Sequence, residues 1–311
     1  YRSMVSLNEH LNGIICINKP ADFTSFDVIA KMRGILRLKR LGHAGTLDPM
    51  ATGVLPVFAG RATKACDILP DHDKIYEAEF QLGLTSDTQD IYGKITERRE
   101  AGNITAENIE NTLEKFRGDI MQIPPMYSAV MINGQRLYDL ARQGVVVERE
   151  ARPITVYTLE LTAYDEKTHF GKLEISCSRG TYIRTLINDI GDALGCGAIM
   201  TKLVRTKACG FTLDDCVALE DLQELANAGI SAEKYLYPIE KVFGDLKAIK
   251  LNPHQEHLYR NGIRLDIDKM KAVGFSGDPD EKYRIYGADG SFIGTAFVNY
   301  EKRELRVDKN F

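Results

Sequence analysis

The chain has no apolar run near the ~18 residues that a membrane-spanning helix needs. Its start lacks the basic, apolar and small-residue regions of a secretory signal. The six cysteines, Cys16, Cys66, Cys177, Cys196, Cys209 and Cys216, form no CxxC pair, and several lie in apolar segments. That usage fits reduced, mostly buried thiols of a cytoplasmic protein rather than a disulfide framework. His254 and His257 form an HxxH, but no cysteine or acid cluster supplies the three or four convergent ligands of a zinc site, so no metal is expected. There is no long internal repeat and no low-complexity stretch. The most glycine-rich loop, GHAGTLDPMATG at 42–53, lacks the Gly-Lys-Ser/Thr ending of a phosphate loop and does not fit GxGxxG. No cofactor is expected.

What is present describes a globular chain with room for a full core and two domains: 311 residues, 44% apolar and 27% charged. Net charge is −4, yet residues 31–64 hold seven cations (Lys31, Arg33, Arg37, Lys39, Arg40, Arg61 and Lys64) and one acid, Asp48. This local +6 leaves −10 for the rest of the chain. A basic patch on an acidic chain can draw phosphates to one face, although a solvated helix face has the same charge.

GIICIN at 13–18 reads as a strand, and Thr24 with Asp27 as a capping box for a helix whose Val28, Ile29, Met32, Ile35 and Leu36 recur at helical spacing. VLPVFAG at 54–60 reads as a buried strand and 61–69 as a short helix carrying Lys64. KIYEAEFQLG at 74–83 alternates, with Tyr76, Ala78, Phe80 and Leu82 on one face. Residues 85–93 look like an acidic turn and 105–117 like a helix. KLEISCS at 172–178 is a second alternating strand. Ile183, Leu186, Ile187 and Ile190 form a buried helical stripe, with Arg184 off it. Residues 212–247 read as two acidic helices. From about 248 the pattern changes to short strands, with a hairpin turned at Asp289-Gly290. Strands and helices mix without a βαβ rhythm, so the expected class is α+β, with a mixed or antiparallel sheet and a small C-terminal β domain. The expected division is 4–247 and 248–311.

Asp48 is the acid that draws attention. One reading is a turn-forming Asp before Pro49. The other is a catalytic carboxylate, kept ionised by a neighbouring cation and able to act as nucleophile or base. Hydrolysis of a glycosidic bond usually needs two carboxylates. No second acid accompanies Asp48 locally, which favours a reaction that consumes no water.

Four segments then agree in order and spacing with a known pattern. They are NKPADFTSFDV (Lys19, Pro20, Thr24, Ser25), GHAGTLDPMATGVLPV (Gly42, His43, Gly45 to Pro49, Ala51 to Gly53), PPMYSAVMINGQRLYDLARQG and SRGTYIRTL. Together they resemble the TruB family of tRNA pseudouridine synthases over nearly all of residues 12–220. Ala44 and Met50 stand where the family commonly has threonine and leucine; neither change removes a group the chemistry needs. The resemblance implies isomerisation of uridine 55 in the T-loop of tRNA, without cofactor or metal, with Asp48 as the catalytic aspartate. It implies that Arg184 pairs with Asp48 and that Tyr76 stacks on the target base. Tyr182 and Leu203 would line the uracil pocket, and His43 would help hold the flipped-out nucleotide. Lys19 and Lys64 would support the site or the RNA backbone, and Asp90 would be an RNA contact or a turn residue. Residues 124–153 match the family's RNA-gripping insertion, and the C-terminal β domain resembles its PUA-like RNA-binding domain. The expected partner is tRNA, through its T-loop and stem, with no membrane, no guide RNA and no obligate oligomer.

Overall fold

The computed structural model describes residue 8 and residues 10–270 and 274–311. Residues 4–7 and 9 of the expected first domain lie outside the described residues. In chain order the elements begin with β1 (Gly13–Lys19), α1 (Ser25–Leu36), β2 (Leu41–His43), β3 (Thr52–Ala59), β4 (Lys74–Leu82), β5 (Leu84–Ser86) and β6 (Ile95–Arg98). Next come α2 (Ala106–Leu113), β7 (Gly118–Gln122), β8 (Met131–Ile132), β9 (Gln135–Arg136), α3 (Leu137–Arg142), β10 (Arg152–Asp165) and β11 (Phe170–Cys177). The last elements of the N-terminal part are α4 (Ile183–Ala193), β12 (Ala198–Ala208), β13 (Phe211–Thr212) and α5 (Leu219–Asn227). The C-terminal part holds β14 (Lys247–Lys250), α6 (Pro253–Arg260), β15 (Leu265–Asp266), β16 (Lys282–Tyr286), β17 (Phe292–Asn299) and β18 (Glu304–Asn310).

A nine-stranded sheet carries the order β1-β3-β12-β4-β11-β10-β7, with β2 paired to β3 and β13 to β12. Among the described residues its pairings are antiparallel except β3 with β12. This is the mixed sheet of an α+β fold. β1 and β3 are buried on both faces, which is why they read as continuous apolar runs rather than alternating ones. On one face Ile15, Ile17, Leu55 and Val57 pack against α1 and α5; on the other Ile14, Cys16, Val54 and Phe58 pack against Phe211, Phe243 and Phe311. β4 buries only one face, where Tyr76, Ala78, Phe80 and Leu82 meet the Leu186, Ile187 and Ile190 stripe of α4. Each such fully buried aliphatic side chain contributes ~1.5–3 kcal/mol. A second sheet, β14-β16-β17-β18-β15, encloses its own core with Tyr259 of α6. Phe243, Phe292 and Phe311 bring the two parts together, with ring centroids 5.7–5.9 Å apart.

The Thr24 capping box forms as expected, Asp27 accepting from Thr24 N at 2.8 Å while Thr24 Oγ1 accepts from Asp27 N at 3.0 Å. Asn133 and Gly134 both have positive φ, the backbone that a two-residue hairpin turn requires, and they join β8 to β9 within the 124–153 segment. Three expectations need correction. Residues 61–69 hold only a 3-10 turn, Gly60–Ala65, because buried Ala62 and Ala65 offer too little apolar surface to anchor an α-helix. Residues 85–93 include β5, which pairs with β6 in a small hairpin. The 212–247 segment contains one α-helix, α5, and three 3-10 turns at Leu213–Asp215, Ala232–Tyr235 and Ile239–Phe243. Pro238 and Gly229 interrupt what periodicity alone read as helix.

Candidate active site

The parallel pairing of β3 with β12 builds the site. It sets Gly53 beside Arg205, and the neighbouring antiparallel ladder sets Arg205 opposite Tyr76 and Leu203 opposite Ala78. The 44–51 loop, which precedes β3, is thereby held over β4 and β12. A cavity of about 560 Å³ lies there, lined by the Ala44–Asp48 stretch, the Ser178–Arg184 loop, Ser128 and Ala129. His43, Asp48, Tyr76, Tyr182, Arg184 and Leu203 all line it. The structure therefore brings together six residues drawn from distant parts of the sequence.

Asp48 forms the expected turn, and that turn uses only its backbone. Its backbone carbonyl accepts from Ala51 N at 3.0 Å, closing a turn around Pro49. Its carboxylate makes no bond within that turn and reaches Arg184 instead. Arg184 Nη2 donates to Oδ1 at 3.4 Å and Nε lies 3.4 Å from Oδ2, without the alignment of a hydrogen bond. The same Nη2 donates to the Tyr127 carbonyl at 2.6 Å. Off the aliphatic stripe of α4 does not mean exposed: the Arg184 side chain is 6% accessible and the Asp48 side chain 34%. Burial pushes the Asp48 carboxyl above its ordinary range; Arg184 and Lys19 oppose that, while Asp90 adds to it. The pair is thus long, loosely aligned and open to the cavity.

Two buried cations hold the loop that carries Asp48. Lys19 is fully buried and donates to the carbonyls of Pro20 at 2.8 Å, Pro49 at 3.1 Å and Phe23. That uses all three ammonium donors. Lys19 therefore supports the site and is not available to RNA. Arg205 is also fully buried and donates to Val54 O at 2.8 Å, Gly45 O at 2.8 Å and Thr46 O at 3.5 Å. Gly45 has φ +72°, and a Cβ there would sit 3.2 Å from both Arg205 Nη1 and Lys74 Cε. Gly53 has φ +104°, and a Cβ would fall 2.2 Å from the Arg205 carbonyl. Gly53 is where backbone approaches backbone, and Gly45 is where the loop approaches the Arg205 and Lys74 side chains.

The remaining walls are apolar and aromatic. Tyr76 is buried, and that burial pushes its hydroxyl up to about 12 although Arg205 stands beside it. Leu203 is 5% exposed. Tyr182 opens α4 with its backbone clamped by Gln122, which accepts from Tyr182 N at 2.9 Å and donates to its carbonyl at 3.1 Å. The Arg184 guanidinium lies 5.9 Å from the Tyr182 ring centroid. Burial and Arg205 lower the His43 pKa, so its ring is neutral near pH 7, and its Nδ1 is buried without a partner. Ser128 Oγ is a second buried polar atom without a partner.

Lys64 and Asp90 do not line the cavity. Lys64 Nζ donates to Asn310 O at 2.8 Å. Asp90 is buried and closes its own turn, accepting from Thr88 Oγ1 at 2.7 Å and Tyr92 N at 3.0 Å. Arg205, Gln122 and Ser128 escaped the sequence reading. The alternation of β12 could have exposed Arg205, since it shares strand parity with Leu203.

The chain is similar to known proteins along most of its length. Residues 33–183 match the model of the TruB family pseudouridylate synthase N-terminal domain, and residues 184–243 that of the tRNA pseudouridylate synthase B C-terminal domain. A protein of Clostridium tetani called tRNA pseudouridine synthase B is 40% identical over 91% of this chain and 94% of its own length. Its namesake in Lactobacillus delbrueckii subsp. bulgaricus is 44% identical over 89% and 95%. A solved Cbf5-Nop10-Gar1 complex contains a chain with TM-score 0.75 and 25% identity, covering 98% of this chain and 85% of that one. An H/ACA RNP bound to a substrate RNA containing 2′-deoxyuridine has the same fold, with TM-score 0.73 and 23% identity over 100% of this chain and 87% of the other.

Proposed function

The chain belongs to the TruB family of pseudouridylate synthases, and from that premise we propose that it converts uridine 55 in the T-loop of tRNA to pseudouridine, with Asp48 as the catalytic carboxylate. The observation that carries the residue assignment is the Asp48–Arg184 pair, open to a cavity whose other walls are Tyr76, Tyr182, Leu203 and His43.

The reaction is an isomerisation. The bond from C1′ to N1 of uracil breaks, the base turns, a bond from C1′ to C5 forms, and the C5 proton leaves while N1 gains one. No water enters, so a single carboxylate suffices. Asp48 acts in its ionised form, which Arg184 and Lys19 favour against burial. Extruding a base costs a few kcal/mol; stacking on an aromatic ring returns ~1–3 kcal/mol per base. Tyr76 supplies that stacking surface and stays un-ionised, its hydroxyl lying at about 12. Leu203 and Tyr182 enclose the base, and His43, on the wall of the same cavity, helps hold the flipped-out nucleotide. Residues 4–247 form the catalytic unit, 124–153 grip RNA, and 248–311 act as a PUA-like RNA-binding domain. The protein works in the cytoplasm on bare tRNA, without cofactor, metal or guide RNA.

Incubating the protein alone with unmodified tRNA and mapping pseudouridine tests this reading. The expected product is pseudouridine at position 55. A second reading, a synthase active only inside a ribonucleoprotein, draws on the fold likeness to the H/ACA RNP chain. Failure on bare tRNA would favour it.

A further inference from the structure

The cations near the site divide into two groups. Lys19 and Arg205 are buried on backbone carbonyls. Arg184 serves Asp48, Lys64 the Asn310 carbonyl, and Lys74 the His72 carbonyl at 2.6 Å. Arg40 Nε donates to Thr63 Oγ1 at 2.9 Å, and Lys31 lies 4.0 Å from Glu220. Of the other cations, Arg179 lines the cavity and Arg61 lies outside the hollow described next, whereas Arg33, Arg37 and Lys39 cluster together. They are exposed, and among the described residues they have neither hydrogen-bond nor ion-pair partners. With buried Leu38 they surround a surface hollow of about 430 Å³.

This second group has an aromatic companion. Phe26 is 65% exposed, and Arg33 lies over its ring at 6.0 Å from the centroid. Positions 26, 30, 33 and 37 follow helical spacing along one face of α1 and its C-cap. They span about 16 Å at 1.5 Å per residue. The Phe26 end is fixed to the catalytic loop: Ser25 Oγ accepts from Leu47 N at 2.9 Å, and Asp22 N donates to Pro49 O at 2.9 Å. The stripe therefore begins beside Asp48 and leads away from it.

Sheet order decides what it can meet. α1 packs on the β1–β3 end of the main sheet, whereas residues 124–153 join β7 to β10 at the opposite end. The α1 face and the gripping segment thus stand at opposite ends of the sheet. In folded tRNA the T-loop lies against the D-loop, so a second arm stands beside the target. Its phosphates match the guanidinium pair, and an unstacked loop base matches Phe26. We infer that the Phe26–Arg33–Arg37–Lys39 stripe binds the D-arm side of tRNA, outside the stem-loop that carries the target uridine. This deepens the pseudouridine synthase reading and rests on it.

The test compares full-length unmodified tRNA with an isolated T stem-loop. The variants are R33E/R37E/K39E and the milder R33Q/R37Q/K39Q, which guards against misfolding. For full-length tRNA, Kd and KM should rise at least tenfold in the charge-reversed protein. Three lost phosphate contacts should reduce the slope of log Kd against log salt by about 2–3. F26A should weaken full-length tRNA alone. On the stem-loop, kcat and Kd should match wild type. Unchanged affinity for full-length tRNA, or equal weakening for both RNAs, overturns the inference. Loss of stem-loop turnover in both multiple variants would also overturn it, because the stripe would then act through the active site. Wild type that modifies neither RNA would instead sink the synthase reading.

Discussion

Replacing Arg184 with Gln should cut pseudouridine formation about 100-fold at neutral pH and move the acid limb of the pH–rate profile upward. Arg184 is the buried partner of the pair, and Asp48 is a third exposed. Removing one member of a buried ion pair costs ~3–5 kcal/mol, because the other charge is left uncompensated. The opening of Asp48 to the cavity places this site at the lower end; where ~3 kcal/mol of that interaction is lost from the transition state, the rate falls by roughly two powers of ten. Burial already raises the Asp48 carboxyl, and Arg184 is the largest influence lowering it. Without the guanidinium the carboxyl rises further, so a higher pH is needed to ionise it. Single-turnover formation of pseudouridine, followed from about pH 5 to 9, reads both effects. Arg184→Gln should regain part of its lost rate as pH rises, and Arg184→Lys should fall between Gln and wild type. A uniform loss at every pH, with the acid limb unmoved, would refute the idea that Arg184 keeps Asp48 ionised.

Lys19, pushed down to about 8 by burial, loses one of its three hydrogen-bond donors on deprotonation, so turnover should decline above about pH 8. Lys19→Met, measured over the same range, should be slow and lack that alkaline limb. Gly45→Ala forces a Cβ onto a positive-φ backbone against Arg205 and Lys74; it should lower kcat by tenfold or more with a smaller change in tRNA affinity. Arg205→Met leaves the carbonyls of Gly45, Thr46 and Val54 without their donor. At ~1–3 kcal/mol per unsatisfied buried group, thermal denaturation should show a Tm several degrees lower and kcat should fall with it.

Local signals carried well into the structure where one physical cause dominated. The Thr24 capping box, the alternation of β4 and the Asn133-Gly134 turn depend on nearest neighbours, and each forms as its sequence implies. The 212–247 segment did not, because an acidic, helix-period pattern is equally compatible with 3-10 turns that pack Ile239, Val242 and Phe243 into the core. The candidate site was legible through its motifs, whose six residues line one cavity, and not through local spacing. Spacing could not tell a turn-forming Asp48 from a catalytic one, since the side chain and the carbonyl do different jobs. Arg205 and Gln122 were hidden for a related reason. Their partners are backbone atoms of distant segments, so side-chain pattern can mark Arg205 as inward-facing on β12 but does not name the carbonyls it bonds.

The Asp48→Asn variant tests the central claim most directly. It keeps the shape of the side chain and removes the charge. With unmodified tRNA, the account expects no pseudouridine at position 55 at any pH between about 5 and 9, with tRNA affinity close to wild type. An Asp48→Asn protein that still formed pseudouridine would contradict the assignment of Asp48 as the catalytic carboxylate.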